Sequence, residues 1–202
     1  NLMYPWDGKR VTIIGEFISG KEKYRPGNAN NTTYQKRHSW LVMHANASKY
    51  FNPNKHFGIG VLGDFLFSTK NFNNTYTSTI VQAPAFTPTP HSKTVFNEAF
   101  RANQYIAAGI IPIWHIIKNL QLRGDFYCFM PFFKIEQSAT NPDKAVYGKF
   151  MRNPEFLGEI TIAYNLPFAS ISLFGNYYSY PSKNWNFGIN FGILMYNPKF
   201  IE

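Results

Sequence analysis

The feature that most constrains this chain is a strict alternation of side-chain type from Leu120 to Phe133. The even positions carry apolar side chains or glycine, namely Leu120, Leu122, Gly124, Phe126, Cys128, Met130 and Phe132. The odd positions carry an amide, two charged groups and a phenol, followed by three apolar residues. They are Gln121, Arg123, Asp125, Tyr127, Phe129, Pro131 and Phe133. A period of two places the two sets on opposite faces of a β-strand. Roughly a dozen alternating residues exceed the ~5–6 of an ordinary strand and approach the ~9–11 of a tilted membrane-spanning strand.

The composition supports a surface that faces lipid or a large apolar ligand. Aromatic residues make up 18% of the chain and charged residues 15%, whereas an average soluble chain has about 25% charged residues. The formal net charge of +9 comes from Lys and Arg scattered over predicted loops, with no basic stripe between stacking aromatics. We therefore expect no nucleic-acid partner, and interpret the charge as attraction to anionic headgroups or as a solubility feature.

No window contains about 18 consecutive apolar residues, so the sequence predicts no transmembrane helix. Alternation recurs elsewhere and predicts eight strands, near residues 10–19, 39–50, 56–68, 104–117, 120–136, 156–166, 170–179 and 185–196. The connections alternate in length: long ones at 20–38, 69–103 and 137–155, short ones at 52–55, 118–119 and 167–168, and a medium one at 180–184. Such asymmetry is typical of transmembrane barrels, which have short turns on one side and long loops on the other. The predicted fold is an all-β, antiparallel transmembrane β-barrel, with residues 1–202 as a single barrel segment.

Strand parity assigns side chains to the two faces of this barrel. The predicted lumen-facing polar residues are Glu16, Asp64, Arg123, Glu159, Asn186 and Asn190. Four aromatic residues near strand ends are predicted to form an interfacial girdle: Trp40, Trp114, Trp185 and Tyr196. The alternative for the aromatic residues is core packing in a soluble sandwich.

The sequence predicts no catalytic residue, no cofactor and no metal site in this chain. It contains no G-x-S-x-G, the motif of a lipase nucleophile. Its five histidines lack the spacing of metal ligands. Cys128 is the only cysteine, which excludes an intrachain disulfide and a cysteine-built metal site.

Three runs resemble a known family: FTPTPHSKTVFNEAFRANQYIAAG, LRGDFYCFMPF and WNFGINFGILMY. They are similar to the C-terminal barrel of bacterial patatin-like phospholipases, which is related to surface-antigen barrels of the BamA and TamA type. Those barrels have sixteen strands, with an inward-folded sixth external loop that five strands follow. Here five predicted strands follow the loop that ends at Asn103. The resemblance implies that this chain is the C-terminal half of such a barrel in a Gram-negative outer membrane. Its implied partners are outer-membrane lipids, the remaining strands and a patatin domain of the same protein or of another chain.

The resemblance also implies a lock between the inward loop and the barrel wall. In the superfamily an arginine of the loop meets an acidic residue on the second strand after it, and Arg101 and Asp125 occupy the matching places. Ala102 follows Arg101, where the family more commonly has glycine. The alternative is that Arg101 is a solvated loop residue and that Asp125 pairs with Arg123 or, through water, with partners near Glu159.

Several functions remain open at this point. The leading hypothesis is a module that anchors or exports a patatin-like lipid acyl hydrolase. A second is a self-contained small outer-membrane barrel, either structural or a lipid-modifying enzyme with a serine near His91 or His115. A third is a soluble lipid-binding β-barrel, which should have its apolar face inside.

Overall fold

A computed structural model of the chain describes residues 5–24, 34–73, 75–166, 169–179 and 184–193. The fold is all-β and is built on one antiparallel sheet of eight strands. In spatial order these are β1 (Gly8–Tyr24), β2 (Tyr34–Phe51), β3 (Phe57–Ser68), β4 (Gln104–Ile117), β5 (Leu120–Pro131), β8 (Glu155–Asn165), β9 (Ala169–Tyr178) and β10 (Trp185–Ile193). A second sheet is a hairpin of β6 (Phe133–Gln137) and β7 (Ala145–Phe150).

The segment between β3 and β4 contains the only helices of the described chain. They are α1 (Tyr76–Gln82) and two short 3-10 helices, Ser92–Thr94 and Glu98–Phe100. No helix among the described residues is long and apolar enough to cross a membrane. The side chain of Thr75 caps α1 by accepting a hydrogen bond from the Ser78 amide.

The eight predicted strands all exist, and β4 has the predicted bounds. The predicted loop 20–38 is wrong in extent, because β1 continues to Tyr24 and β2 starts at Tyr34. The predicted strand 120–136 is interrupted at Phe132, and its last part joins β7 in the second sheet. The predicted connection 137–155 therefore contains a strand. The predicted turns 167–168 and 180–184 lie outside the described residues, apart from position 184.

The two faces of the eight-stranded sheet have opposite character. On β5, Gln121, Arg123 and Asp125 are buried, whereas Phe126 on the other face is 47% exposed. The same inversion occurs on β8, where Glu159 is buried and Ile160 is exposed. We call the face with Glu159 the inner face and the face with Ile160 the outer face. The alternation predicted from the sequence is confirmed, and it buries the polar side.

The outer face of β3, β4, β5, β8, β9 and β10 carries no charged side chain among the described residues. On β1 and β2 the apolar outer surface lies between two pairs of basic residues. Lys9 and Lys49 bound it at the end with the short turns, and Lys21 and Arg37 bound it at the end with the long loops. We call these the turn end and the loop end of the sheet.

The strands are staggered across the sheet. The residue row that starts at Trp185, the first residue of β10, runs through Phe126 and Val61 and reaches Lys9, near the start of β1. Trp185 lies at the loop end of its strand, whereas Lys9 lies at the turn end. The row therefore passes from the loop end to the turn end as it crosses the sheet. Such a stagger means that the strands are tilted relative to the sheet as a whole.

The sheet has two open edges in the described part of the chain, because β1 and β10 do not pair with each other. The hydrogen-bonding groups of β1 that face away from β2 are therefore available to a further strand. The same holds for the outer edge of β10.

Candidate functional site

We call residues 69–103 the inner loop. Its later part packs on the inner face of the eight-stranded sheet through Phe86 and Phe100, whereas α1 packs on Ile135 of the second sheet. The loop follows β3, and at its start the Thr69 amide donates to the carbonyl of Leu41 on β2 at 3.0 Å. It closes on itself where the Phe86 amide donates to the Phe100 carbonyl at 2.9 Å. At its end the Asn103 side chain donates to the Lys70 carbonyl at 3.0 Å. These contacts make the loop a compact lobe.

The inner loop contributes two aromatic side chains to the main core. Phe86 stacks on Phe129 with 5.8 Å between ring centroids, and Phe100 lies 5.6 Å from the same ring. The other aromatic residues of this cluster are Tyr105, Tyr127 and Tyr178. Gly109 leaves the space over which the Tyr127 ring lies, since a Cβ there would overlap it. The core of the molecule is therefore an interface between the loop and the strands.

A buried carboxylate receives the tip of the inner loop. Glu159 on β8 is 2% exposed and accepts from His91 Nδ1 at 2.7 Å and from Thr89 Oγ1 at 2.8 Å. Thr161, two residues along the same strand face, donates to Glu159 at 3.0 Å. The His91 ring stacks on Phe174 with 3.5 Å between centroids. Because a buried carboxylate needs such donors, this site fixes the loop in one position.

A second polar cluster lies towards the turn end. Arg123 donates from Nε to Asp125 at 2.9 Å and from Nη1 to the Pro5 carbonyl at 3.0 Å. Tyr127 donates its hydroxyl to Asp125 at 2.9 Å. Trp6 packs edge-on against His115, with 4.0 Å between ring centroids. Residues 5 and 6 thereby lie against the turn end of the inner face.

The predicted Arg101–Asp125 lock is wrong. Arg101 Nη1 donates to the carbonyls of Val81 and Ala83, both at 2.9 Å, and its guanidinium lies 4.5 Å from the ring centroid of Phe96. Burial lowers the pKa of Arg101 from its ordinary value. Asp125 instead accepts hydrogen bonds from Arg123. Arg123 lies two residues away on the same face of β5, so little conformational entropy is lost when the pair forms. The loop is instead locked by Thr89 and His91 on Glu159.

The other predicted lumen-facing residues lie on the inner face, with different exposure. Asp64 is 8% exposed and accepts from Asn46 at 2.6 Å and from His44 at 3.1 Å. Asn186 and Asn190 are half-buried. Glu16 shares the inner-face parity of β1 but is exposed, because nothing described covers that strand. One cross-strand row brings together Asp125, Glu159, Asn176 and Asn186.

Two of the four predicted girdle residues lie on the outer face. Trp114 near the turn end and Trp185 at the loop end are 59% and 60% exposed, so they mark opposite ends of the apolar surface. Trp40 does not belong to the girdle, because its register places it on the inner face. Its ring lies 5.3 Å from Lys70 Nζ. Tyr196 lies outside the described residues.

The geometry around Glu159 suits a site that anchors the inner loop to the sheet. The Ser92 hydroxyl donates to the Thr89 carbonyl at 2.8 Å, within the loop itself. His91 Nε2 is buried and has no hydrogen-bond partner within the described chain. No group of three His, Cys, Asp or Glu side chains that could hold a metal ion occurs in the described ranges.

Sequence reasoning missed Thr89 and His91. The available signal was an interior carboxylate without a basic neighbour on its own strand, Glu159, together with a histidine inside a Pro- and Thr-rich loop. The two partners are 68 and 70 residues distant from Glu159, so no local pattern connects them.

Comparison with known proteins gives no match. No protein-family model, no curated protein and no solved structure is significantly similar to this chain.

Proposed function

We propose that this chain is the C-terminal half of a sixteen-stranded outer-membrane β-barrel that anchors or exports a patatin-like phospholipase. The observation that carries the membrane part is the reversal of the two faces. Carboxylates and a guanidinium are buried on the inner face, while the outer face from β3 to β10 is apolar and uncharged over its described length. A water-soluble sheet would gain free energy from the opposite arrangement, whereas a sheet in lipid gains it from this one.

The height of the apolar outer surface fits a bilayer. From Lys9 to Lys21 the strand spans roughly 40 Å at about 3.3 Å per residue, which a tilt of about 45° reduces to roughly 28 Å. The apolar band of outer-membrane barrels is about 25 Å tall. Trp114 and Trp185 then lie near the two interfaces, where aromatic side chains are favoured.

The open edges support a barrel that contains further strands. In lipid each unsatisfied backbone group costs several kcal/mol, so β1 and β10 need partners. The stagger of the rows supplies the strand tilt that closure requires. We assign the missing partners to earlier strands of a sixteen-stranded barrel, as the family resemblance implies.

The patatin part of the proposal rests on the resemblance of the three sequence runs. In this assignment the hydrolase chemistry belongs to a separate patatin domain. The chain described here supplies the membrane anchor and the inner loop that occupies the lumen.

A labelling experiment tests the membrane assignment with the single cysteine. Cys128 is half-buried on the outer face. In intact membranes, a lipid-soluble maleimide should label Cys128 and a charged maleimide should not, while both should label the unfolded protein. Rapid labelling by the charged reagent in intact membranes, or a protein that stays monodisperse without detergent, would refute the assignment.

A second candidate is a self-contained small barrel, which the number of strands in the sheet favours, since eight strands can close into a barrel. The mass of the source polypeptide in detergent-solubilised membranes separates the two. A mass several-fold above 23.3 kDa, together with phospholipase activity in the same polypeptide, supports the larger barrel. A mass near 23.3 kDa would refute the patatin assignment and leave the small barrel.

A further inference from the structure

The hairpin of β6 and β7 lies at the loop end of the main sheet, directly after β5. Its base is tied to the end of β5, because the Met151 amide donates to the Phe132 carbonyl at 2.8 Å. The inner loop covers one part of the hairpin, where Ile80 of α1 packs with Ile135 of β6. Other apolar side chains of the hairpin stay uncovered, and Phe150 on β7 is 59% exposed.

A series of aromatic rings connects the hairpin to the outer face of the main sheet. Phe65 on the outer face of β3 lies 6.2 Å from Phe132, measured between ring centroids. Phe132 lies 5.9 Å from Phe150, and Phe150 lies 5.4 Å from Phe133. Tyr147 follows at 5.8 Å from Phe133. The apolar outer surface thus continues from the sheet onto the hairpin through ring contacts.

These rings lie at the level where the apolar outer surface of β5 ends. The outer-face residues of β5 run from Leu120 to Met130, which is roughly 33 Å at about 3.3 Å per residue and roughly 23 Å after a tilt of about 45°. The apolar band of an outer-membrane barrel is about 25 Å tall. Phe132 follows Met130 with the same parity, so the ring series begins at the loop-end boundary of the band. Aromatic side chains are favoured at that depth.

Basic residues adjoin the exposed part of the ring series. Lys149 precedes Phe150 and Arg152 follows Met151, and all of these side chains are exposed. The run from Lys149 to Arg152 contains no acidic residue. Lipid phosphates attract such cations, while the acyl carbons beneath the phosphates accept apolar side chains. Rings at the boundary with cations beside them therefore fit the headgroup region of a membrane.

We propose that the β6–β7 hairpin lies on the membrane surface, with Phe150 and Met151 inserted at the level of the lipid headgroups. The partner is the lipid layer at the loop end of the sheet, so this inference rests on the proposed membrane function. The hairpin acts as an interfacial anchor beside the loop end of β3, β4 and β5. Depth in the membrane decreases along the hairpin, from Phe150 near its base through Tyr147 to Thr140 at its tip.

Spin labels on single cysteines test this arrangement. The background carries Cys128→Ala, and any cysteine of the source polypeptide outside this sequence is replaced as well. One cysteine is then placed at Phe150, Tyr147, Thr140 or Ile110. Thr140 is the matched control, an exposed residue at the tip of the same hairpin, and Ile110 on the outer face of β4 is the reference for lipid. The full protein is reconstituted in vesicles of phosphatidylcholine and phosphatidylglycerol, and electron paramagnetic resonance measures collisions of each label with oxygen and with a water-soluble nickel chelate.

Oxygen concentrates in the bilayer and the chelate stays in water, so the ratio of the two collision rates reports depth. We expect this ratio to be several-fold higher at Phe150 than at Thr140, with Tyr147 between them. Equal ratios at Phe150 and Thr140 would overturn the proposal. A label at Phe150 that is shielded from both reagents would also overturn it, because a protein partner or a second copy would then cover the hairpin.

The label at Ile110 separates this result from failure of the proposed function. If that label collides freely with the nickel chelate, the outer face is in water and both proposals fall. If it lies in lipid while the labels at Phe150 and Tyr147 lie in water, the membrane assignment stands and only the hairpin proposal falls. Both hairpin positions are exposed, so a label there leaves the core intact.

Discussion

Strands β5 and β8 and the edge strand β1 have the same alternation of side chains, but their inner faces differ in burial. On β5 and β8 the inner loop covers this face, and Phe129 and Glu159 are 0% and 2% exposed. On β1 nothing described covers it, so Glu16 and Ile14 are exposed although they share the inner-face parity. The alternation therefore decides which face a side chain lies on, and the loop decides whether it is buried.

This difference separates two roles of inner-face carboxylates. Glu159 is desolvated and is compensated by three donors, two of them from the inner loop. Glu16 lies outside the covered region and contributes polarity alone. The comparison predicts that equal substitutions on the two sides have unequal effects on stability.

The largest effect is expected in the aromatic core. Replacing Phe129 by Ala should lower the free energy of unfolding by about 3–5 kcal/mol, because it removes the ring on which Phe86 and Phe100 pack. Phe126→Ala on the outer face of the same strand is the matched control and should cost much less. Denaturant titration of the folded protein in detergent measures both, and equal losses would contradict the assignment of the core to the inner face.

A charge placed on the outer face should have the next largest effect. Ile189→Arg near the middle of β10 should destabilise the protein in bilayers by about 2–4 kcal/mol. Asn190→Arg, its neighbour on the inner face, should cost clearly less, because its side chain does not face lipid. Folding equilibria in lipid vesicles would test this pair. Comparable losses for the two variants would mean that the outer face does not contact lipid.

Loss of the carboxylate charge at the loop anchor should have a smaller effect. Glu159→Gln should cost about 1–3 kcal/mol, because it replaces charge-assisted hydrogen bonds to His91 and Thr89. It should also speed proteolysis at Lys93, the exposed lysine of the inner loop. Glu16→Gln is the control on the bare side and should change neither quantity. If both variants are cleaved at the wild-type rate, Glu159 does not fix the loop.

The smallest effect concerns the two arginines that were candidates for Asp125. A double-mutant cycle of Arg101→Met with Asp125→Asn should show coupling below about 0.5 kcal/mol, because the two side chains share no partner. The cycle of Arg123→Met with Asp125→Asn should show clear coupling through their direct contact. Reversed magnitudes would restore the loop lock that the family resemblance implies.

Sequence periodicity predicted the eight strands of the main sheet and the faces of most of them, but it missed β7 and the full length of β1 and β2. The apolar outer faces of β3, β5 and β8 follow from alternation, because a half-buried strand imposes a period of two. The bounds of β4 follow from the loop that ends at Asn103 and from the hairpin at 118–119. The change of sheet at Phe132 was missed, although the alternation reverses its phase there. The polar residues of β5 are at odd positions, whereas Lys134 and Glu136 of β6 are at even ones.

Long-range polar contacts could not be predicted in the same way. The contacts of Glu159 with Thr89 and His91 join residues about a third of the chain apart, and many loop residues have the chemistry to make them. The local alternative to the Arg101 lock was visible in the sequence, since Arg123 precedes Asp125 by two positions on one face. Proximity along a strand is a better guide to such pairs than a motif taken from a family that the sequence only resembles.

The uneven coverage of the inner face has a consequence for ion permeation. In the proposed barrel the inner loop covers the inner face of β3, β4, β5, β8 and β9 and leaves that of β1 bare. A current of ions would therefore pass beside the loop, along a wall that carries Glu16, His44 and Asp64. Glu16, the exposed carboxylate of this wall, would favour the passage of cations over anions.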